Sequence, residues 1–246
     1  SPDGATTLFQ TLGKIWVADA DGGNPRRLTE QDDHSELFPS FSEDGERIVY
    51  TTWNDRDLGS VRVVSAKGGA GRVLTPNPGH YVEPRFSPDG ERVVYRKITG
   101  GYLLSGAWSL APGIYIVPAK GGEPKRVSKS GFNPQFSASG ERVLYSSSVE
   151  ETQLVLRSVS LEGHDERTHL QGAKVTEFNV SPDGRWVAFT EQYNAFVAPF
   201  TLTGRTVEIG SETKSIPVRQ VSNRAGEFLH WAADGSALHW SHGPTL

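Results

Sequence analysis

The sequence predicts an all-β protein: a six-bladed β-propeller of four-stranded antiparallel blades, with the first and last blades incomplete. Three observations lead there. A turn tetrad, Ser-x-Asp-Gly or a close variant, recurs six times at intervals of 41 to 51 residues, the period of a four-stranded propeller blade. Short apolar runs stand between these turns, and no stretch sustains the 3.6-residue apolar period of a helix. Gly and Pro make up 42 of the 246 residues, and these are the turn formers that many short strands require.

The six tetrads are Ser1-Pro2-Asp3-Gly4, Ser42-Glu43-Asp44-Gly45, Ser87-Pro88-Asp89-Gly90, Ser137-Ala138-Ser139-Gly140, Ser181-Pro182-Asp183-Gly184 and Ala232-Ala233-Asp234-Gly235. An apolar residue precedes five of them: Phe41, Phe86, Phe136, Val180 and Trp231. An apolar run follows, as in Ile48-Val49-Tyr50, Val93-Val94-Tyr95, Val143-Leu144-Tyr145 and Val187-Ala188-Phe189. A second run then ends in a glycine turn, as in Ile114-Tyr115-Ile116-Val117 before Gly121-Gly122, and a short fourth element such as Arg126-Val127-Ser128 closes the unit. Each unit reads strand, tight turn, strand, loop, strand, glycine turn, strand. Regularly spaced short strands also suit a sandwich, but six copies of one unit favour radial stacking with short protected edges.

The whole chain, 1–246, reads as one propeller domain, with units at about 1–29, 30–75, 76–128, 129–170, 171–222 and 223–246. The first unit opens on its turn and the sixth stops after two strands, so twenty-one strands are expected where six complete blades need twenty-four. With no Met in the sequence and an opening on Ser1, the expectation is a module completed by chain outside these residues.

Composition narrows the partners. A net charge of −4 leaves no basic footprint, which argues against nucleic acid. No window approaches the ~18 apolar residues of a membrane span. With no Cys, disulfides, thiolate metal sites and a Cys nucleophile are excluded.

The stretches Phe86-Ser87-Pro88-Asp89-Gly90-Glu91-Arg92-Val93-Val94-Tyr95 and Ile15-Trp16-Val17-Ala18-Asp19-Ala20-Asp21-Gly22-Gly23 resemble the WD-repeat-like units of TolB-like propellers. Leu12-Gly13-Lys14-Ile15-Trp16, Pro112-Gly113-Ile114-Tyr115 and the ending Leu238-His239-Trp240-Ser241-His242 are similar to the N-terminal propeller of TolB-like periplasmic amidohydrolases. That resemblance implies a periplasmic or secreted location and a protein partner or covalently linked catalytic domain. The family's catalytic barrel and its His-x-His ligands are absent from these 246 residues, so no catalytic residue, metal ligand or cofactor is expected within them.

The tetrad and Gly-Gly turns share one end of every unit, and the dissimilar loops share the other. Binding residues concentrate on variable loops held by a rigid scaffold, so the loop end is the expected binding face. Its candidates are His34, Trp53, Asp55, Arg56, His80, Tyr81, Tyr102, Trp108, Phe132, Tyr193, Asn194 and Arg224. A small-molecule ligand in the central channel is a further expectation. The repeated Asp is expected to cap its own turn, and Asp19-Ala20-Asp21-Gly22 to be a hairpin turn, since the later ligands of a calcium loop are missing. His80 with Glu83, and His239 with His242, read as ordinary polarity rather than metal pairs. The stretch 98–112 reads either as a long hairpin or as an apolar loop over the channel mouth. No Gly-x-Ser-x-Gly elbow is present. The leading expectation is a non-catalytic module for interaction or substrate access. The alternatives are a stand-alone cell-envelope binding protein and a hydrolase acting in the channel.

Overall fold

A computed structural model describes residues 1–100, 110–150 and 153–241. Its strands form six sheets in chain order. The first holds β1 (Thr6–Thr11), β2 (Lys14–Asp19) and β3 (Arg26–Arg27); the second holds β4 (Ser35–Phe41), β5 (Arg47–Trp53), β6 (Val61–Ser65) and β7 (Arg72–Val73). The third holds β8 (His80–Phe86), β9 (Arg92–Ile98), β10 (Gly113–Pro118) and β11 (Lys125–Ser128). The fourth is built on β12 (Phe132–Phe136), β13 (Arg142–Glu150), β14 (Gln153–Ser160) and β15 (Arg167–Gly172). The fifth begins with β16 (Val175–Val180), β17 (Trp186–Glu191) and β18 (Asn194–Pro199). The chain then detours through β19 (Val207–Glu208), which pairs in parallel with β15, before β20 (Arg219–Gln220) completes the fifth sheet. Last comes a hairpin of β21 (Glu227–Trp231) and β22 (Leu238–Ser241).

The architecture is an all-β propeller of antiparallel blades, as the repeat predicts. The expected six blades are corrected to five sheets of three or more strands plus a two-stranded hairpin, among the described residues. The hairpin packs on the fifth sheet through Leu229 and Trp231 against Ala188 and Ala195. Strand β19 was also not expected. It forms because Val207 and Ile209 pack on the fourth sheet's core, which brings their backbone to the free edge of β15, where the Ile209 amide donates to the Gln171 carbonyl at 2.9 Å.

In the second to fifth sheets the apolar run after the tetrad forms the second strand and is buried on both faces, whereas the strand after the first tetrad is β1, a part-buried edge strand. Side chains alternate across a strand, so Ile48 and Tyr50 pack with Ile15 and Val17 of the first sheet while Val49 meets Val93 and Tyr95 of the third. The pattern repeats: Val143 and Tyr145 face the third sheet, and Leu144 faces Phe178 and Phe189 of the fifth. Two-sided burial explains why these strands read as continuous apolar runs rather than as alternation.

The tetrads form the same turn six times. Their glycines have φ between +66° and +72°, a left-handed conformation that other residues adopt only with strain. In the second sheet Ser42 Oγ donates to Asp44 Oδ1 at 2.5 Å, and the amides of Glu46 and Arg47 donate to Asp44 Oδ1 and Ser42 Oγ at 2.9 and 3.0 Å. The third and fifth sheets repeat this at Ser87–Asp89 and Ser181–Asp183. In the fourth, Ser139 replaces Asp, and the bonds lengthen to 3.3 Å from Ser137 and 3.4 Å from the Glu141 amide. The repeated Asp therefore caps its own turn. Asp19-Ala20-Asp21-Gly22 is likewise a hairpin turn, with the Gly22 amide on the Asp19 carbonyl at 2.8 Å.

Neighbouring sheets are tied by hydrogen bonds between their innermost strands. Asn133 Nδ2 donates to the Phe178 carbonyl at 2.9 Å, and Gln135 pairs with the Val180 backbone through 2.9 and 3.1 Å bonds. Asn179 Nδ2 donates to the Leu229 carbonyl at 2.6 Å, and Trp231 Nε1 returns to the Asn179 carbonyl at 3.0 Å. A bulge marks four of these strands, at Phe38, Glu83, Asn133 and Phe228, with φ of +53°, +57°, +51° and +56°.

Three outcomes are expected. Restoring the repeat with Ser139→Asp raises stability by about 0.5–1.5 kcal/mol, read as a higher midpoint in urea. Asn133→Ala removes the bond to Phe178 and the bond its Oδ1 accepts from Arg85, and puts Ala in a left-handed conformation. It should cost roughly 2–3 kcal/mol, and a loss below about 0.5 kcal/mol would show the tie to be dispensable. Hydrogen bonds from Ser181 and the Arg185 amide hold Asp183 down to about 2, and their equivalents hold Asp44 and Asp89 below the usual range. A carboxyl with a depressed folded pKa stabilises fully above its unfolded value. Thermal stability should therefore fall as pH drops from about 4 towards 2, and that fall should shrink in Asp183→Asn.

Candidate functional site

A cavity of about 700 Å³ opens at the end that carries the tetrads. The residue two places before each of the last five tetrads lines it: Ser40, Arg85, Gln135, Asn179 and His230, contributed by β4, β8, β12, β16 and β21. His239 of β22 adds a second imidazole, and Thr6 and Leu8 of β1 line the remaining side. At the rim lie the turns, with Asp3, Glu43 and Asp234. Asp3 and Asp234 are held low mainly by hydrogen bonds, from Ser1 and from Ser236, so the mouth is acidic at neutral pH.

The interior has the opposite character. Arg85 Nη2 donates to Asn133 Oδ1 at 3.0 Å, yet no carboxylate lies within ion-pair distance of Arg85 among the described residues. Its guanidinium is enclosed by protein even though part of its surface reaches the cavity. Burial lowers its pKa, and Glu177 and then Glu83 oppose that shift from beyond contact range. Glu83 itself is committed elsewhere, to Arg96 Nη1 at 3.1 Å and to the Asn133 amide at 2.6 Å. Burial raises the pKa of Glu177, with Arg85 pulling against it. Water reaches His230 through the cavity, but the surrounding protein still disfavours its charged form. Desolvation first, then Arg85, His239 and the Ser1 amine, push it down to about 4.

Ten of the twelve loop residues chosen from the sequence are among the described residues, and none of these ten lines this cavity. Some of them meet one another at the other end. Trp53 stacks at 4.6 Å on His80, and its Nε1 donates to Asp55 Oδ1 at 3.0 Å. His34 is buried, with Nδ1 2.9 Å from Asp33 Oδ1, and burial lowers its pKa. Tyr81 belongs to the core: its hydroxyl donates to the Asn77 carbonyl at 2.8 Å, its ring meets Tyr95 edge-on, and burial pushes its pKa up to about 12. Phe132 packs on the fourth sheet's core with Arg96 5.9 Å over its ring. Asn194 accepts from Ser222 Oγ at 3.5 Å, while Arg56, Tyr193 and Arg224 are exposed. Tyr102 and Trp108, most of the stretch 98–112, and His242 lie outside the described residues. His80 and Glu83 are engaged with different partners. No group of three or more His, Asp or Glu that could hold a metal occurs among the described residues, and no helix there is long and apolar enough to cross a membrane.

The cavity residues had a signal in the sequence. Each repeat keeps an apolar residue before the tetrad, and the position before that varies: Ser40, Arg85, Gln135, Asn179, His230. A polar position that changes between constant flanks marks a surface free of packing constraint, here turned inward on the channel.

A comparison with curated protein sequences finds no match. Among solved structures, a putative TolB from Agrobacterium tumefaciens superposes with a TM-score of 0.73 at 17% identity, over 98% of this chain and 88% of that one. An oligogalacturonate lyase from Vibrio parahaemolyticus gives 0.67 at 11% identity, over 98% and 72%. TolB from Acinetobacter baumannii gives 0.59 at 18% identity, over 82% and 50%. At these identities the likeness is one of fold. The sequence model of the TolB β-propeller domain matches residues 6–216, and the chain therefore belongs to the TolB β-propeller domain family.

Proposed function

We propose that this chain is a non-catalytic binding module whose central cavity receives part of a protein partner or of a covalently linked catalytic domain, and so governs interaction or substrate access. The observation that carries this reading is the cavity of about 700 Å³. Innermost strands from successive sheets line it, and inter-sheet hydrogen bonds from Asn133, Gln135 and Asn179 fix their positions. A lining held in place before a ligand arrives loses little freedom on binding, which favours recognition. The resemblance to TolB-like propellers supports a periplasmic or secreted location for the module. A stand-alone cell-envelope binding protein is the neighbouring form of the same reading.

A photo-cross-linking residue at Ser40, inside the cavity, and another at Leu202, on the outer surface, test the proposal in cells. A defined cross-linked species from Ser40 and none from Leu202 is expected. In parallel, the purified chain is assayed on amide, ester and oligogalacturonate substrates with added divalent metal. Turnover that disappears in His230→Ala would replace the binding module with an enzyme acting in the channel.

A further inference from the structure

Arg85 poses a physical problem that the fold does not solve. A guanidinium enclosed by protein is costly unless a counter-charge or a full set of acceptors compensates it. Among the described residues it has one hydrogen bond, to Asn133 Oδ1 at 3.0 Å. Five N–H groups are available to a guanidinium, so most of its donor capacity is left for whatever enters the cavity. Two imidazoles also line the interior, His230 and His239, which stand opposite each other in the β21–β22 register. The Ser40 hydroxyl opens onto the same space.

We propose that Arg85, with His230 and His239, forms a subsite for a carboxylate group, either the C-terminal carboxylate of a peptide or a small free acid. The inference rests on the cavity being a binding site, and it names the chemistry that the site selects. A planar carboxylate matches the guanidinium fork, which binds it through two parallel N–H···O bonds. The charge balance favours one negative charge over several. Among the described residues Arg85 is the one Arg or Lys lining the interior, and the rim carboxylates of Asp3, Glu43 and Asp234 repel polyanions before they enter. Phosphate esters and nucleic acid are disfavoured on that ground.

The subsite also couples to a proton. The charged groups facing His230 are Arg85 from β8, His239 from β22, Glu177 from β16, the Ser1 amine, and Asp3 and Asp234 at the rim. The enclosing protein first, and then Arg85, His239 and the Ser1 amine, hold the His230 pKa down to about 4 and so favour its neutral form. A bound carboxylate reverses the local balance and raises its pKa, because an opposite charge at short range favours the charged imidazole.

The test compares N-acetyl-trialanine with its C-terminal amide, and lactate with lactamide, by NMR titration of the folded chain. The acid of at least one pair should bind tenfold or more tightly than its amide, and should raise the His230 pKa by one unit or more. Preference within the peptide pair assigns the subsite to a peptide terminus; preference confined to lactate assigns it to a free acid. Arg85→Gln should abolish the preference, and Arg85→Lys should keep part of it. If Arg85→Gln does not fold, the His230 titration in the unaltered protein decides. Equal binding of acid and amide overturns the carboxylate subsite and leaves the cavity as a binding site. No binding of any of the four also overturns it, while the cross-linking at Ser40 judges the module separately.

Discussion

The hydrogen bonds between innermost strands are the constraint on which this structure depends. Each sheet of a propeller can bury both its faces only if its neighbours hold a fixed distance and register. Apolar contacts between flat sheets are not directional, so they set the spacing but not the register. Asn133, Gln135 and Asn179 supply direction by reaching across to the backbone of the next sheet. Gln135 uses both ends of its amide on one residue, Val180, which fixes the fourth sheet against the fifth. Leaving any of these buried groups unpaired would cost more than the bond contributes.

The same strands carry the site, so its geometry follows from the scaffold. The bulges at Glu83, Asn133 and Phe228 precede Arg85, Gln135 and His230 by two residues. A bulge locally increases twist and re-aims side chains, and these three line the cavity. The proposed site is built on strands held from both sides rather than on the loops at the opposite end. That placement suits a site that selects by charge, since a guanidinium fixed by Asn133 loses little freedom on meeting its partner.

The electrostatics of the cavity are hidden in the overall composition. A net charge of −4 suggests a uniformly acidic surface, and the rim conforms to it. Beneath that rim sit Arg85 and two imidazoles. In the proposed site, an acidic rim above a single guanidinium disfavours ligands with several negative charges.

What the sequence determined by itself was everything that repeats locally. The tetrads contain their own acceptors and their own left-handed glycine, so each turn is specified within about six residues. The Ser139 variant shows the same logic weakened. The continuous apolar runs also announced two-sided burial, because a strand between two sheets has no solvent face. What only the tertiary structure decided was how separate units meet. Strand β19 depends on a free edge at β15 some 35 residues earlier in the chain, and no local pattern announces that edge. The two strands expected of the sixth unit form the last hairpin, and only the tertiary structure shows them packed on the fifth sheet through Leu229 and Trp231. Loop candidates such as Tyr81 proved to be core, since an aromatic residue beside a loop reads alike whether it faces water or Tyr95. The cavity residues lay in plain view, one per repeat. Yet their convergence required the channel, where strands about 44 to 51 residues apart in sequence bring Arg85, Gln135, Asn179 and His230 to one lining.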